Sequence, residues 1–314
     1  MNKRPLVICT DPGIDDFIAL CMLLNRPEFD ILGIVALSGN VGLDVTVNNA
    51  LVAVELCRRP EIPVFAGSAR PLMRPARSAA NIHGPSGLGN SVELYSSLRP
   101  HEGSAAEFLA RMAKKHRGSL ELLSLGPLTD AALAVKQEPK LASYFRNITV
   151  MGGGIRLGNA TRFAEFNILA DPEAAAAVFA CGAPVTMVGL DATQPCVLPR
   201  EAVRRLEADT PLGRAVPKML SDYADTYKRV HNLDGMVIHD AICAVSLYHP
   251  EWFELERRCV WVDLTADEHL GQTRADEPDG SGRAPNCAVA VKADCAAVNG
   301  CIVDSMELIV HELR

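Results

Sequence analysis

The densest chemistry in the chain lies in Asp11-Pro12-Gly13-Ile14-Asp15-Asp16. The apolar run Leu6-Val7-Ile8 before it reads as a short buried strand ending in a turn, and a helix is expected from the acid pair through Phe17 to Leu24. Three carboxylates then meet at one strand end, where like charges brought out of water repel and push a proton back onto at least one of them. Helix capping offsets part of this, because Asp15 and Asp16 can accept backbone N–H bonds at the positive end of the dipole. A hard divalent cation offsets more. Carboxylate oxygens gathered without thiolates or imidazoles suit calcium or magnesium better than zinc. Capping does not account for Asp11, which precedes the turn at the carboxyl edge where open α/β sheets bind ligands. The two readings are compatible, since one acid can cap while its neighbours ligate.

Other polar groups recur at useful spacings. Tyr223, Tyr227 and His231 fall at i, i+4 and i+8 and share one helix face. Such a stripe ordinarily packs on the core, yet two phenols and an imidazole equally suit the wall of a pocket for a flat ring. His239-Asp240 opens a further helix with the acid in its first turn. His83 sits in residues 67–103, a Gly-, Ser-, Pro- and Arg-rich stretch with little periodicity, which is expected to form a lid. A lone loop histidine is more often merely solvated. Met151-Gly152-Gly153-Gly154 lacks the G-x-G-x-x-G spacing of a dinucleotide fingerprint.

The elements that must position these groups alternate through the first two thirds. Strand-like runs at 6–10, 31–37, 64–65, 120–125, 148–151 and 185–190 are separated by helical patterns at 15–24, 44–58, 105–116, 127–135 and 172–180. That rhythm predicts right-handed crossovers, a mainly parallel central sheet flanked by helices, and one domain over residues 1–314. The final third is more helical, with strand-like runs at 258–264 and 287–291 around a polar loop and a closing amphipathic segment at 303–313.

Composition narrows the partners. With 314 residues, 48% hydrophobic and 22% charged, the chain can bury a full core. A net charge of -7 argues against a nucleic-acid surface and leaves small molecules as partners. No apolar run approaches the length of a membrane span and the start shows no signal-peptide pattern, so a cytoplasmic location is expected. Ten cysteines are scattered without a C-x-x-C pair, and a protein of this size needs no staples, so most are expected to be small buried hydrophobes.

Asp11 to Asp16, Ser38-Gly39-Asn40-Val41, Ile82-His83-Gly84, Leu125-Gly126-Pro127-Leu128-Thr129, Met151-Gly152-Gly153, Ala164-Glu165-Phe166-Asn167 and His239-Asp240 occur in that order. Together they resemble the inosine-uridine nucleoside hydrolases, calcium-dependent N-ribohydrolases, and the resemblance implies that α/β fold. It also implies that Asp11, Asp16, Asp240 and the Leu125 carbonyl ligate Ca2+. Asp11 would act as general base toward water near the ion, and His239 as proton donor to the departing base in an inverting cleavage. Asp15, Asn167 and Asp240 would hold ribose hydroxyls, Asn159 and Glu165 the 5′-hydroxyl, with Asn40 near the attacking water, His83 closing over the site, and Phe166 as core or as a wall behind the sugar. The resemblance further implies a role in nucleoside salvage and assembly as a homotetramer or homodimer.

Two departures from the family pattern stand out. Cys9 occupies the place of the first acid in Asp-x-Asp-Pro-Gly. Tyr223 and Tyr227 stand where pyrimidine-preferring members carry Thr and Gln, which points to broad or purine-leaning use. A catalytically impaired nucleoside- or ribose-binding protein is the alternative. An aspartyl-phosphate phosphatase is disfavoured, because Cys9-Thr10-Asp11 does not supply its Asp-x-Asp pair.

Overall fold

The computed structural model describes residues 3–276 and 282–313. In chain order the strands are β1 (Arg4–Thr10), β2 (Phe29–Ala36), β3 (Val64–Ala66), β4 (Leu120–Ser124), β5 (Phe145–Met151), β6 (Val185–Val188), β7 (Phe253–Arg258), β8 (Val260–Val262), β9 (Thr273–Ala275) and β10 (Cys287–Ala293). The helices are α1 (Ile14–Leu24), α2 (Leu43–Leu56), α3 (Ala80–His83), α4 (Ala105–Lys115), α5 (Thr129–Gln137), α6 (Phe166–Ala170), α7 (Pro172–Phe179), α8 (Leu190–Thr193), α9 (Pro211–His231), α10 (His239–Ser246) and α11 (Cys295–Glu312).

Eight strands form one sheet in the order β3-β2-β1-β4-β5-β6-β10-β7, parallel throughout except for the antiparallel edge pair β10/β7. The chain steps outward from β1 to β3 and then returns to the other side of β1 with β4. The crevice beyond the carboxyl ends of β1 and β4 is therefore a topological switch point, the place where open α/β sheets receive ligands. Thr10 pairs with Ala36 and Cys9 with Ser124, so the segments that follow these three strands leave the sheet at one level.

Both sheet faces are covered, which is why the strands read as nearly continuous apolar runs. Leu6, Ile8, Ile34 and Leu123 face the core under α1, α2, α10 and α11, whereas Val7, Val35 and Leu122 face the core under α4, α5 and α7. Helix α1 is buried on every side. Apolar residues all round fit that central place, and its two acids are confined to the first turn.

Four expectations need correction. Cys196 and Cys295 form a disulfide, tying the segment after α8 to the start of α11. The two residues lie far apart in sequence and meet only because α11 packs back across that segment, so no local spacing announces the pair. The supposed lid at 67–103 is tied down along its length: Leu72 and Ser91 donate to Asp171 and Asp222, and Ser96 and Ser97 to Glu55. His83 is buried rather than solvated. The closing helix begins at Cys295 rather than near Val303. Part of the expected polar loop, residues 277–281, lies outside the described residues. Among the described residues no helix is long and apolar enough to cross a membrane.

Candidate active site

The site begins with an oxygen-rich cradle at the start of α1. Gly13 is the N-cap, so the helix has no capping side chain at that position. Asp16, one turn in, reaches back and accepts the Gly13 N–H at 3.1 Å. Its other oxygen accepts the Asp11 N–H at 3.2 Å and the Thr10 hydroxyl. The next free N–H, that of Ile14, donates to His83 Nδ1 at 3.2 Å. The loop after β2 closes the cradle. Asn40 donates its backbone N–H to Asp11 Oδ2 at 2.6 Å and its side-chain amide to Asp16 Oδ2 at 3.0 Å and the Asp11 carbonyl at 3.2 Å.

Ligand oxygens of Asp15, Asp16 and Asp240 all lie within 4.8 Å of one another. Asp11 stands beside this triad, fully buried, and its Oδ1 has no hydrogen-bond partner. Burial first, and then neighbouring carboxylates, push the carboxyls of Asp11, Asp16 and Asp240 above their ordinary range. Asp15 is pushed up to about 6, chiefly by burial. Four acids sharing a dry site with one oxygen orphaned is an unfavourable arrangement that a bound cation relieves. The donor set is all oxygen, which fits a hard divalent ion. Glycines at positions 39 and 126 make the cradle possible, because a Cβ at either would strike the Asp11 carboxylate.

Above the cradle opens a cavity of about 300 Å³. It is lined by Asp15, Asn40, His83, Leu125, Asn159, Glu165, Phe166, Asn167, Tyr223, Tyr227, His231, His239 and Asp240. Asp11 and Asp16 lie buried beneath it, so the structure brings every site residue expected from sequence to one place.

Several of these residues are held by turn chemistry as well. Glu165 is the N-cap of α6 and accepts the N–H groups of Asn167, Ile168 and Gly153 at 2.9, 3.1 and 3.0 Å. Burial nevertheless pushes its carboxyl up to about 7. Asn159 Oδ1 accepts the Phe166 N–H at 2.9 Å, and Asn167 donates to the Leu125 and Met151 carbonyls at 2.6 and 3.1 Å.

One wall is aromatic. His83 stacks on Tyr223 with ring centroids 5.4 Å apart, Tyr223 meets Tyr227 edge-on at 4.9 Å, and Tyr227 approaches His231 at 5.1 Å. Burial lowers His83 to about 4, and burial with the neighbouring His83 and His231 lowers His239 to about 3. His83 Nδ1 accepts the Ile14 N–H, which leaves Nε2 to carry that ring's proton.

Cys9, the departure in the first motif, faces α5. Burial and then Asp130 push its thiol up, so it stays protonated. Asp130 accepts the Ser68 N–H at 2.7 Å, and the Ser68 carbonyl in turn accepts the Ser38 N–H at 3.3 Å, which secures the loop carrying Asn40. Met151, Gln194, Arg77 and Asn81 also line the cavity and were not picked out from sequence. Only the Met151-Gly152-Gly153 segment offered a signal.

The profile of the inosine-uridine preferring nucleoside hydrolases matches residues 6–299. The pyrimidine-specific ribonucleoside hydrolase RihA of Salmonella schwarzengrund (strain CVM19633) is 35% identical over 295 residues, covering 92% of this chain and 94% of the relative. RihB of Escherichia coli O1:K1 / APEC, also a pyrimidine-specific ribonucleoside hydrolase, is 35% identical over 94% of each chain. The solved structure of a purine-preferring ribonucleoside hydrolase from Gardnerella vaginalis superposes with a TM-score of 0.92 at 28% identity, covering 98% of this chain and 99% of that one. With its acids at a sheet switch point and this match along almost its whole length, the chain belongs to the inosine-uridine preferring nucleoside hydrolase family.

Proposed function

We propose that the chain hydrolyses the N-glycosidic bond of ribonucleosides to free base and ribose, with Ca2+ held by Asp11, Asp16, Asp240 and the Leu125 carbonyl. The observation that carries this reading is the unpartnered, buried Asp11 Oδ1 beside a triad of carboxylates at the floor of the cavity. When bound, the ion supplies Lewis acidity that makes a nearby water easier to deprotonate and fixes vicinal hydroxyls.

The chain's own residues do the rest. Asp11 Oδ1 accepts the proton of the attacking water, while Asn40 fixes the carboxylate through Oδ2. Asp15, Asn167 and Asp240 face the ribose hydroxyls, and Asn159 and Glu165 the 5′-hydroxyl. Phe166 lies behind the sugar. His239 gives a proton to the departing base as the bond to the anomeric carbon breaks, and attack on the opposite face inverts that carbon. Tyr223, Tyr227, His231 and His83 form a flat-sided wall that stacks on purines and pyrimidines alike, which supports broad or purine-leaning use. Assembly as a homodimer or homotetramer belongs to the same family-based reading.

The test is release of free base from a nucleoside panel by purified protein, with and without chelator and beside Asp11→Ala. Ribonucleosides should be cleaved and 5′-monophosphates largely spared, because Arg77 is the only Lys or Arg among the cavity-lining residues described. Comparable cleavage by Asp11→Ala would overturn the assignment of the base.

A further inference from the structure

We propose that Thr193 is a positioning residue that holds His239 with Nε2 turned toward the departing base. This rests on the hydrolase reading above and deepens it. Thr193 is fully buried on α8 and does not line the cavity. Its hydroxyl lies 2.8 Å from His239 Nδ1 and 3.2 Å from the Gly189 carbonyl. With Nδ1 engaged behind the ring and His239 lining the cavity, Nε2 is the nitrogen left for the substrate.

A hydroxyl suits this place because it both donates and accepts. Toward a bare Nδ1 it donates. Toward a protonated Nδ1 it accepts, and its own hydrogen turns to the Gly189 carbonyl. The ring therefore keeps one orientation through proton transfer. From the imidazolium form the Nε2 proton passes to a nitrogen or carbonyl oxygen of the base as the glycosidic bond breaks, the bonding electron pair leaves with the base, and the ring is left neutral with its Nδ1–H still held by the Thr193 hydroxyl. Nothing is oxidised or reduced. The turn is also braced: Gln194, the next residue, lines the cavity, and Cys196 is bridged to Cys295 on α11.

The decisive comparison varies the leaving group. Thr193→Val is close in shape and lacks the hydroxyl, while Thr193→Ser restores it. Each is assayed on inosine and uridine, whose bases need a proton to leave, and on p-nitrophenyl β-D-ribofuranoside, whose phenolate does not. Thr193→Val should lower kcat on the nucleosides by about 10- to 100-fold, a fraction of a general acid's usual effect, with KM and the nitrophenyl riboside within about twofold of wild type. Thr193→Ser should recover most of the loss. In the wild type, the His239 ring should show a hydrogen-bonded Nδ1 in 15N spectra, a signature lost in Thr193→Val and readable whether or not turnover is altered.

Equal losses on both kinds of substrate would mean a merely structural role and overturn the proposal, as would a fully active Thr193→Val or a free Nδ1 in the wild type. If Thr193→Val fails to fold, the same leaving-group split is required of Thr193→Ala. A wild-type protein inert toward all three substrates would instead sink the hydrolase reading itself.

Discussion

Asn40 grips Asp11 at two points, its backbone N–H on the carboxylate at 2.6 Å and its side-chain amide on the main-chain carbonyl at 3.2 Å. The same amide reaches Asp16 at 3.0 Å, so one residue of the loop after β2 sets the relative position of an acid before α1 and an acid in its first turn. Removing the amide should disturb metal affinity and rate together. Asn40→Ala is expected to lower calcium affinity or kcat by about 10- to 100-fold, the usual loss when a ligand's supporting partner goes. Calorimetric titration with Ca2+ alongside steady-state kinetics checks this, and unchanged values in both would refute it.

Gly126 leaves no room for a side chain, because a Cβ there would collide with Asp11 Oδ1. Gly126→Ala should therefore abolish detectable turnover and calcium binding while leaving the far-ultraviolet circular dichroism intact. A variant with near-normal kcat would show that the Asp11 carboxylate is free to move aside.

Removing the ion should destabilise the protein as well as silence it, because four buried acids then face one another uncompensated. Ca2+ at a hundredfold excess over its Kd should add about 2.7 kcal/mol of stability, raising Tm by a few degrees. Scanning calorimetry with and without chelator reads the shift. A Tm indifferent to Ca2+ and Mg2+ would count against a metal in the cradle.

Glu165 makes a pH prediction with a definite sign. Its carboxyl is raised from 4.5 to about 7, so between those values the folded protein holds a proton that the unfolded chain has released. Stability from this group is therefore present below pH 4.5 and lost as pH rises to about 7, with a slope of up to about 1.4 kcal/mol per pH unit. Glu165→Gln removes the ionisation. Between pH 5 and 7.5 the denaturation midpoint of the wild type should fall relative to that of Glu165→Gln as pH rises, and a difference independent of pH would exclude the assignment.

The bridge is checked chemically. Of the ten cysteines, Cys196 and Cys295 should resist alkylation under denaturing conditions until a reductant is added, whereas the other eight should label without it. Reduction should cost about 2–4 kcal/mol of stability, given the long loop that the bond closes. Ten labels before reduction would rule the bridge out.

Much of this site was legible because the acids could be read against a strand end. Leu6-Val7-Ile8 shows where Asp11 leaves the sheet, and the alternation of strand-like and helical runs predicts a mainly parallel sheet. The stripe Tyr223, Tyr227, His231 gave the aromatic wall through helical spacing alone. What stayed hidden is what depends on contacts between distant segments. Thr193 looks like any helix threonine until α10 places His239 against it. Gly39 and Gly126 look like turn glycines until both are seen to flank one carboxylate. His83 sits in a segment of disordered-looking composition, and its burial comes from α1 and Tyr223, which local sequence does not encode. The cysteine pair escaped for the same reason.

The strand order carries one more consequence. Because β1 sits beside β4 and Asp240 arrives only with the first turn of α10, no early fragment contains a whole pocket. The set of acids that would share a cation is therefore complete only in a chain that reaches residue 240, and a shorter product would keep Asp11, Asp15 and Asp16 without their fourth member.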